Sequence, residues 1–288
     1  MKKMVPSTIL LLWLIALPHT LMAAASCPLG EVDPAVAAVA YRGAERLSYE
    51  ISWSDGPKIG EMHLEIRRLS EMPERYELRA RVQDSGLFNF FYPVDDTFVT
   101  VVEGENRLPV SYEVQQKEGR SYEAKRYTEY DQENGLVRYR KNDLEPEEYQ
   151  VDGQVHNEFS SFFFSRVMKM VAGQEAIVPT FADRKRHQVV VRNSGPFRAE
   201  GTLLGDVDVI EMAPILKFKG LYSKDGDTVI WLTDDLCRVP VRIESKILIG
   251  SLTADLVFYS NPNCVEHPGR HGQDPHESTE ETDLGLGD

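Results

Sequence analysis

The chain has 288 residues, 42% hydrophobic and 27% charged, a globular balance for one large domain or two modest ones. Its formal net charge of −14 argues against nucleic-acid binding, which needs basic surface to displace counterions. Three cysteines are too few for a small scaffold built from disulfides.

Lys2 and Lys3 precede an apolar run from Ile9 to Leu17, and Ala23-Ala24-Ala25 follows it. That order of charge, apolar core and small residues predicts a signal peptide over 1–25. The run is shorter than the roughly 20 apolar residues a bilayer span needs, and no later segment is more apolar. The expected location is therefore periplasmic or envelope-associated, with no transmembrane span in the processed chain. Cys27 follows Ala24-Ala25-Ser26, an order resembling a bacterial lipobox, although Ala24 stands where leucine is usual. Lipidation at Cys27 would tether the protein without a helix. Ordinary cleavage after Ala25 is the simpler reading.

Residues 26–44 are small and apolar and read as a linker with, at most, a short helix. From Leu47 the period becomes two: Leu47, Tyr49, Ile51 and Trp53 alternate with polar or small residues, as in a half-buried strand. Met62, Leu64 and Ile66 continue the pattern, as do Tyr76, Leu78, Ala80 and Val82, and then Val110, Tyr112 and Val114. In Tyr122–Thr128 the alternation persists but neither face is clearly apolar. Further runs lie at Val189–Arg192, Phe197–Leu204, Val207–Met212, Val229–Thr233, Val239–Ile247 and Ser251–Tyr259, and Ser194-Gly195-Pro196 reads as a turn. Short strands at this spacing predict a large antiparallel sheet, sandwich or barrel.

Asn157–Ala172 breaks the period. Phe159, Phe162, Phe163, Val167, Met170 and Val171 fall on one helical face, with Asn157 as cap and Gly173 as stop. Ser160, Ser161, Ser165 and Lys169 are expected on the wetter side. Residues 265–288 hold seven acids and only three aliphatic residues, and read as an acidic disordered tail. The fold expected is all-β with one central helix, a curved antiparallel sheet or half-barrel wrapped on that helix, in a single domain over 45–264.

Several blocks, in order, resemble an exported bacterial family known as domain of unknown function 3108. They are Leu47–Trp53 with Ile59-Gly60-Glu61, then Leu108-Pro109-Val110 with Glu118-Gly119-Arg120, then Phe159–Arg166. Ile230–Asp235, Pro240-Val241, Gly250 and Ala254 close the series. The resemblance implies a compartment and a shape but no activity. The family in turn resembles the half-barrel of periplasmic lipoprotein carriers, which is analogy of fold alone.

No catalytic, metal or cofactor site is expected. Asp95-Asp96 and Asp234-Asp235 are paired acids, yet each sits where a turn meets a strand, where Asp bonds nearby backbone. His267, His271 and His276, spaced with Asp274 and Glu277, offer weak metal affinity at best, since a flexible tail bears the full cost of closing such a site. His63, His156 and His187 lie in no zinc pattern. Cys237 and Cys264 flank the hairpin of Val239–Ile247 and Ser251–Tyr259 at nearly equal distances from a turn near Gly250, which predicts a disulfide between them. The competing pairing is Cys27 with Cys264. Phe88–Tyr92 places four aromatics in five positions on a loop, to rim a cavity or plug the core. The function expected is a non-enzymatic envelope protein that binds an apolar ligand or a lipidated partner through Phe159, Phe162, Phe163, Phe90 and Phe91. The alternatives are a structural or assembly component acting through protein contacts and, less favoured, a hydrolase.

Overall fold

The computed structural model describes residues 27–54, 56–86, 92–215, 228–246 and 250–274. The segment 1–25 expected to be a signal peptide, Phe90 and Phe91, and the tail after 274 lie outside the described residues. Two helices are described, α1 (Pro34–Ala40) and α2 (Glu158–Val167). The strands of the first arm are β1 (Glu45–Trp53), β2 (Lys58–Arg68), β3 (Arg75–Asp84), β4 (Asp95–Glu103), β5 (Leu108–Glu118), β6 (Tyr122–Asp131), β7 (Leu136–Lys141) and β8 (Glu147–Gln150). Those of the second are β9 (His156–Asn157), β10 (Glu175–Ala182), β11 (Lys185–Thr202), β12 (Gly205–Ile215), β13 (Thr228–Thr233), β14 (Pro240–Lys246), β15 (Ser251–Ser260) and β16 (Arg270–Gly272).

All these strands belong to one sheet, in the order β8 through β1, then β15 down to β9, with β16 added to β15. Each arm is a meander whose neighbours in sequence are neighbours in space. The arms join at β1 and β15, antiparallel from Arg46↔Ser260 to Trp53↔Leu252. Every pairing between strands is antiparallel except β9 with β10. The sheet curls until its ends meet through side chains instead of backbone: the Phe181 ring lies 5.5 Å from Tyr149 and 6.4 Å from Tyr130, and Arg184 pairs with Glu147.

One face of each strand points into the curl, as a period of two requires. Leu47, Leu64, Ala80, Phe98 and Val114 stand in register across β1 to β5 and are all buried. α2 fills the hollow. Asn157 accepts from the backbone N–H of Phe159 and Ser160, and Ser160 Oγ accepts from Asn157 N–H, a reciprocal cap. Asn157 Nδ2 also donates to Thr100 Oγ1 on β4, so the cap ties the helix to the sheet.

Several expectations are corrected here. The helix ends at Val167, before Ala172, because Met168 bridges to Val32 and Lys169 N–H donates to Glu31 carbonyl. Ser160, Ser161 and Ser165 are buried, so α2 has no wet side. Phe159, Phe163 and Val167 join one core cluster, and Phe164 and Met168 another, so the helix is a wedge between two cores. Of the linker or short helix expected over 26–44, the short helix forms: α1 buries Val36, Ala37 and Ala40, and Leu29 ahead of it bridges to Ile177 on β10, so the segment packs on the body. The order does not stop at 264 either, since β16 pairs with β15 and buried Asp274 holds Arg46. Gly195 is no hairpin turn but a bulge within β11, at φ 106°.

Candidate functional site

The chemistry of the interior gathers in two places. The first is an ion pair between Glu45 at the start of β1 and Arg166 in the last turn of α2, both with almost no exposed surface. Both guanidinium terminal nitrogens reach the carboxylate, and Arg166 further donates to the carbonyls of Cys237 and Arg238 at 2.7 Å each. Asn261 Nδ2 donates to Glu45 Oε1. Burial disfavours the charged guanidinium, but the Glu45 carboxylate outweighs it and holds the Arg166 pKa above its ordinary value.

Beside this pair, Cys237 and Cys264 form a disulfide. The hairpin argument pointed to this pairing for a reason the register does not support. The ladder that sets Arg242 opposite Asp255 would set Cys237 opposite Ser260. The cysteines instead meet outside the ladder, one in the β13–β14 loop and one in the turn that Asn261 begins. Asp235 shapes the first loop by accepting from Thr233 Oγ1 and from the N–H groups of Cys237 and Arg238. Glu266 and the two cysteines place their ligand atoms within 4.8 Å of one another, but the disulfide consumes both thiolates a cation would need. Cys27 is a free, half-buried thiol, and Pro28 next to it already accepts from Ile177 N–H. A lipid on Cys27 would therefore hold the folded body directly against a bilayer.

The second place is the rim where β3, β4, β5 and β6 end. Asp96 points inward and is fully buried, accepting from Lys117 N–H at 3.0 Å and Gln116 Nε2 at 3.3 Å. Gln116 Nε2 also donates to Glu118, and Arg126 donates to Gln116 Oε1 at 2.7 Å. Burial pushes the Asp96 carboxyl up to about 6; the two hydrogen bonds oppose the shift and Glu118 adds to it. Asp96 lies at the start of β4, where a turn meets the strand, but its carboxylate bonds across to β5 instead of shaping the turn, whereas Asp235 does serve a turn. Outside this network, Tyr92 Oη donates to Glu118 at 3.2 Å, and Tyr122 pairs with Glu118 across β5 and β6. Tyr92 and Tyr122 are 53% and 45% exposed, an aromatic patch on the rim. The Tyr92 ring lies over Gly119, where a Cβ would come within 3.2 Å of it at φ 61°. An open hollow of about 980 Å³ continues from the rim, lined by Gln116, Lys117, Glu123, Lys125, Arg126 and Arg140 among others.

Of the residues named for ligand binding, Phe159 and Phe163 are buried in the core and Phe162 is half-buried against it. Their rings touch one another: Phe163 lies 5.1 Å from Phe159 and 5.2 Å from Phe162, and Phe159 lies 6.2 Å from Phe98. Gln116, Glu118 and Arg126 were not singled out by sequence. The signal was the absence of an apolar face on β6, since an inward Arg126 needs an inward partner.

A curled but unclosed antiparallel sheet wrapped on a buried helix defines a β-barrel-like fold. The structure is similar to the crystal structure of a beta-barrel-like protein of domain of unknown function DUF1849 from Brucella abortus. The TM-score is 0.53 at 9% identity, over 75% of this chain and 97% of that one, which shows likeness of fold. The model of a family described as "Protein of unknown function (DUF3108)" matches residues 48–257, and the chain belongs to that family. No curated protein matches it.

Proposed function

We propose that this chain is an exported, non-catalytic protein of the cell envelope that binds a protein partner at the Tyr92–Tyr122 rim. The observation that carries the reading is that, among the described residues, the phenylalanines of α2 pack into the core instead of lining a space. A carrier of lipid, or of a lipidated partner, needs space between sheet and helix, and Phe159 and Phe163 occupy that space against Phe98 and each other. The hollow beyond the rim is open, and its lining mixes charged residues with Ala124, Tyr127, Leu144 and Pro146, unlike the enclosed, mostly apolar pocket a lipid chain favours. Exposed tyrosines flanked by hydrogen-bonding groups are the composition favoured at protein contacts. Asp96 has no exposed surface, so it supports Gln116 and the strand ends and cannot reach a bound molecule. Export rests on the signal-peptide pattern, and the disulfide suits an oxidising compartment.

The test is a photo-crosslinking amino acid in place of Tyr122, in protein expressed in its own cells. A discrete protein adduct, lost when Tyr92 is changed to Ala, is the expected result. Lipid adducts, or lipid retained in native mass spectrometry, would return the carrier reading. The absence of any adduct would remove the rim as a binding site.

A further inference from the structure

The two loops joined by the disulfide each hold one member of the buried ion pair. The Cys237 loop presents the carbonyls of Cys237 and Arg238 to Arg166. The Cys264 turn begins with Asn261, whose amide donates to Glu45 and whose carbonyl accepts from Cys264 N–H. Arg238 at φ 45° and Ala44 at φ 67°, beside Cys237 and Glu45, both adopt a left-handed backbone that side-chain-bearing residues disfavour. His267, three residues after Cys264, places Nε2 2.9 Å from Asp235 Oδ2, a second tie between the same loops. Two of the acceptors of the Arg166 charge are thus backbone carbonyls of a disulfide-tied loop, and its Glu45 counter-charge is bonded by Asn261 from the other tied loop.

We propose that the Cys237–Cys264 disulfide is an oxidation-dependent latch on the Glu45–Arg166 pair, so that α2 docks stably only after the two thiols have been oxidised. In the step, each thiol gives up one proton and one electron. The two sulfurs bond, and a disulfide-bearing oxidant leaves as two thiols. Without the bond the two loops separate on opening, and Arg166 loses its carbonyl acceptors while its charge stays in the interior, which is strongly unfavourable. The sheet arms do not depend on the bond, since their ladders are made strand by strand. A reducing compartment therefore holds the chain with its helix undocked, and an oxidising one closes it. This inference is independent of the rim reading and stands or falls separately.

The experiment is hydrogen exchange on the full chain refolded under oxidising and reducing conditions, with thiol counts confirming each state. Reduction is expected to lower protection at least tenfold in 158–167 and 44–48 together with 234–239. Loss confined to 234–239 and 261–267, with α2 still protected, would overturn the latch. A second measurement compares the urea midpoint of oxidised and reduced protein in the wild type and in the double variant Glu45→Leu, Arg166→Met. The shift on reduction should be markedly smaller in the double variant, where no buried charge awaits its acceptors. Equal shifts would overturn the coupling, and the exchange measurement decides if that variant does not fold.

Discussion

Glu45 and Arg166 illustrate why single residues in this interior cannot be valued alone. Removing one partner leaves the other charged and dry, so Glu45→Ala should cost about 3–5 kcal/mol in chemical denaturation. A loss below about 1 kcal/mol would mean the pair is more hydrated than its burial indicates. Two other buried groups set opposed pH dependences. His156 lies against Phe164, with ring centroids 4.4 Å apart, and burial lowers its pKa from 6.5 to about 3. Between those values the unfolded chain holds a proton that the folded chain refuses, so this contribution is full above pH 6.5 and is lost as the pH falls toward 3. Asp96 runs the other way. Its folded pKa of about 6 lies above the ordinary 3.8, so between pH 6 and 4 the folded chain holds the extra proton and gains stability on acidification. Asp96→Asn should therefore stabilise the protein at pH 7 by about 1–3 kcal/mol and lose that advantage by pH 4. His156→Gln should flatten the decline between pH 6.5 and 4. Urea midpoints across that range check both, and a wild-type-to-variant difference that ignores pH would refute the assignment. None of these roles was legible in sequence. A lone His or Asp carries no mark of its burial, and Arg166 figured in the sequence only as the last residue of the block Phe159–Arg166.

The elements were easier to read where one face is apolar and the other is not. β1, β2, β3 and β5 alternate cleanly because one side faces the core and the other water. α2 was legible through its phenylalanine spacing and Asn157. Its length was not, because the pull of Val32 and Glu31 on Met168 and Lys169 is a long-range pairing with no local sequence signal. β10 escaped notice since Ala176 and Thr180 on its buried side are small or polar, and Pro179 looks like a breaker. β16 escaped for a related reason: Arg270–Gly272 has no apolar character and is held by backbone pairing to Phe258–Ser260, with Arg270 over the Phe258 ring. α2 itself supplies the prediction at this scale. Phe163 is 1% exposed and sits between Phe159 and Phe162, so Phe163→Ala should cost about 3–5 kcal/mol through lost burial and the cavity left behind. The same variant should newly admit a small apolar dye that the wild type excludes, observed as a rise in dye fluorescence. Dye uptake by the wild type at that site would show that the core is not filled.

At the scale of the whole molecule, the order of strands makes a statement about where the chain can be cut. The two arms run outward from β1 and β15, and the chain crosses between the far ends only through residues 151–155. Asp152, Gly153 and Gln154 in that crossing are exposed, and nothing lies within 4 Å of a Cβ built on Gly153. Severing the chain there leaves every strand pairing intact, including β1 with β15. It also leaves α2, which belongs to the second arm, seated through Asn157 on Thr100 and through Arg166 on Glu45 of the first. The disulfide lies wholly within the second piece, so no covalent bond would join the two. A protease site inserted between Asp152 and Gly153 should therefore be cleavable in the folded state, and the fragments should co-elute on size exclusion with the strand signature retained. After denaturation they should return together more slowly than the intact chain, because the β1–β15 ladder would form between separate molecules instead of by closing one chain. Fragments that part on cleavage would show that the crossing, and not the central ladder with its helix, holds the two arms as one body.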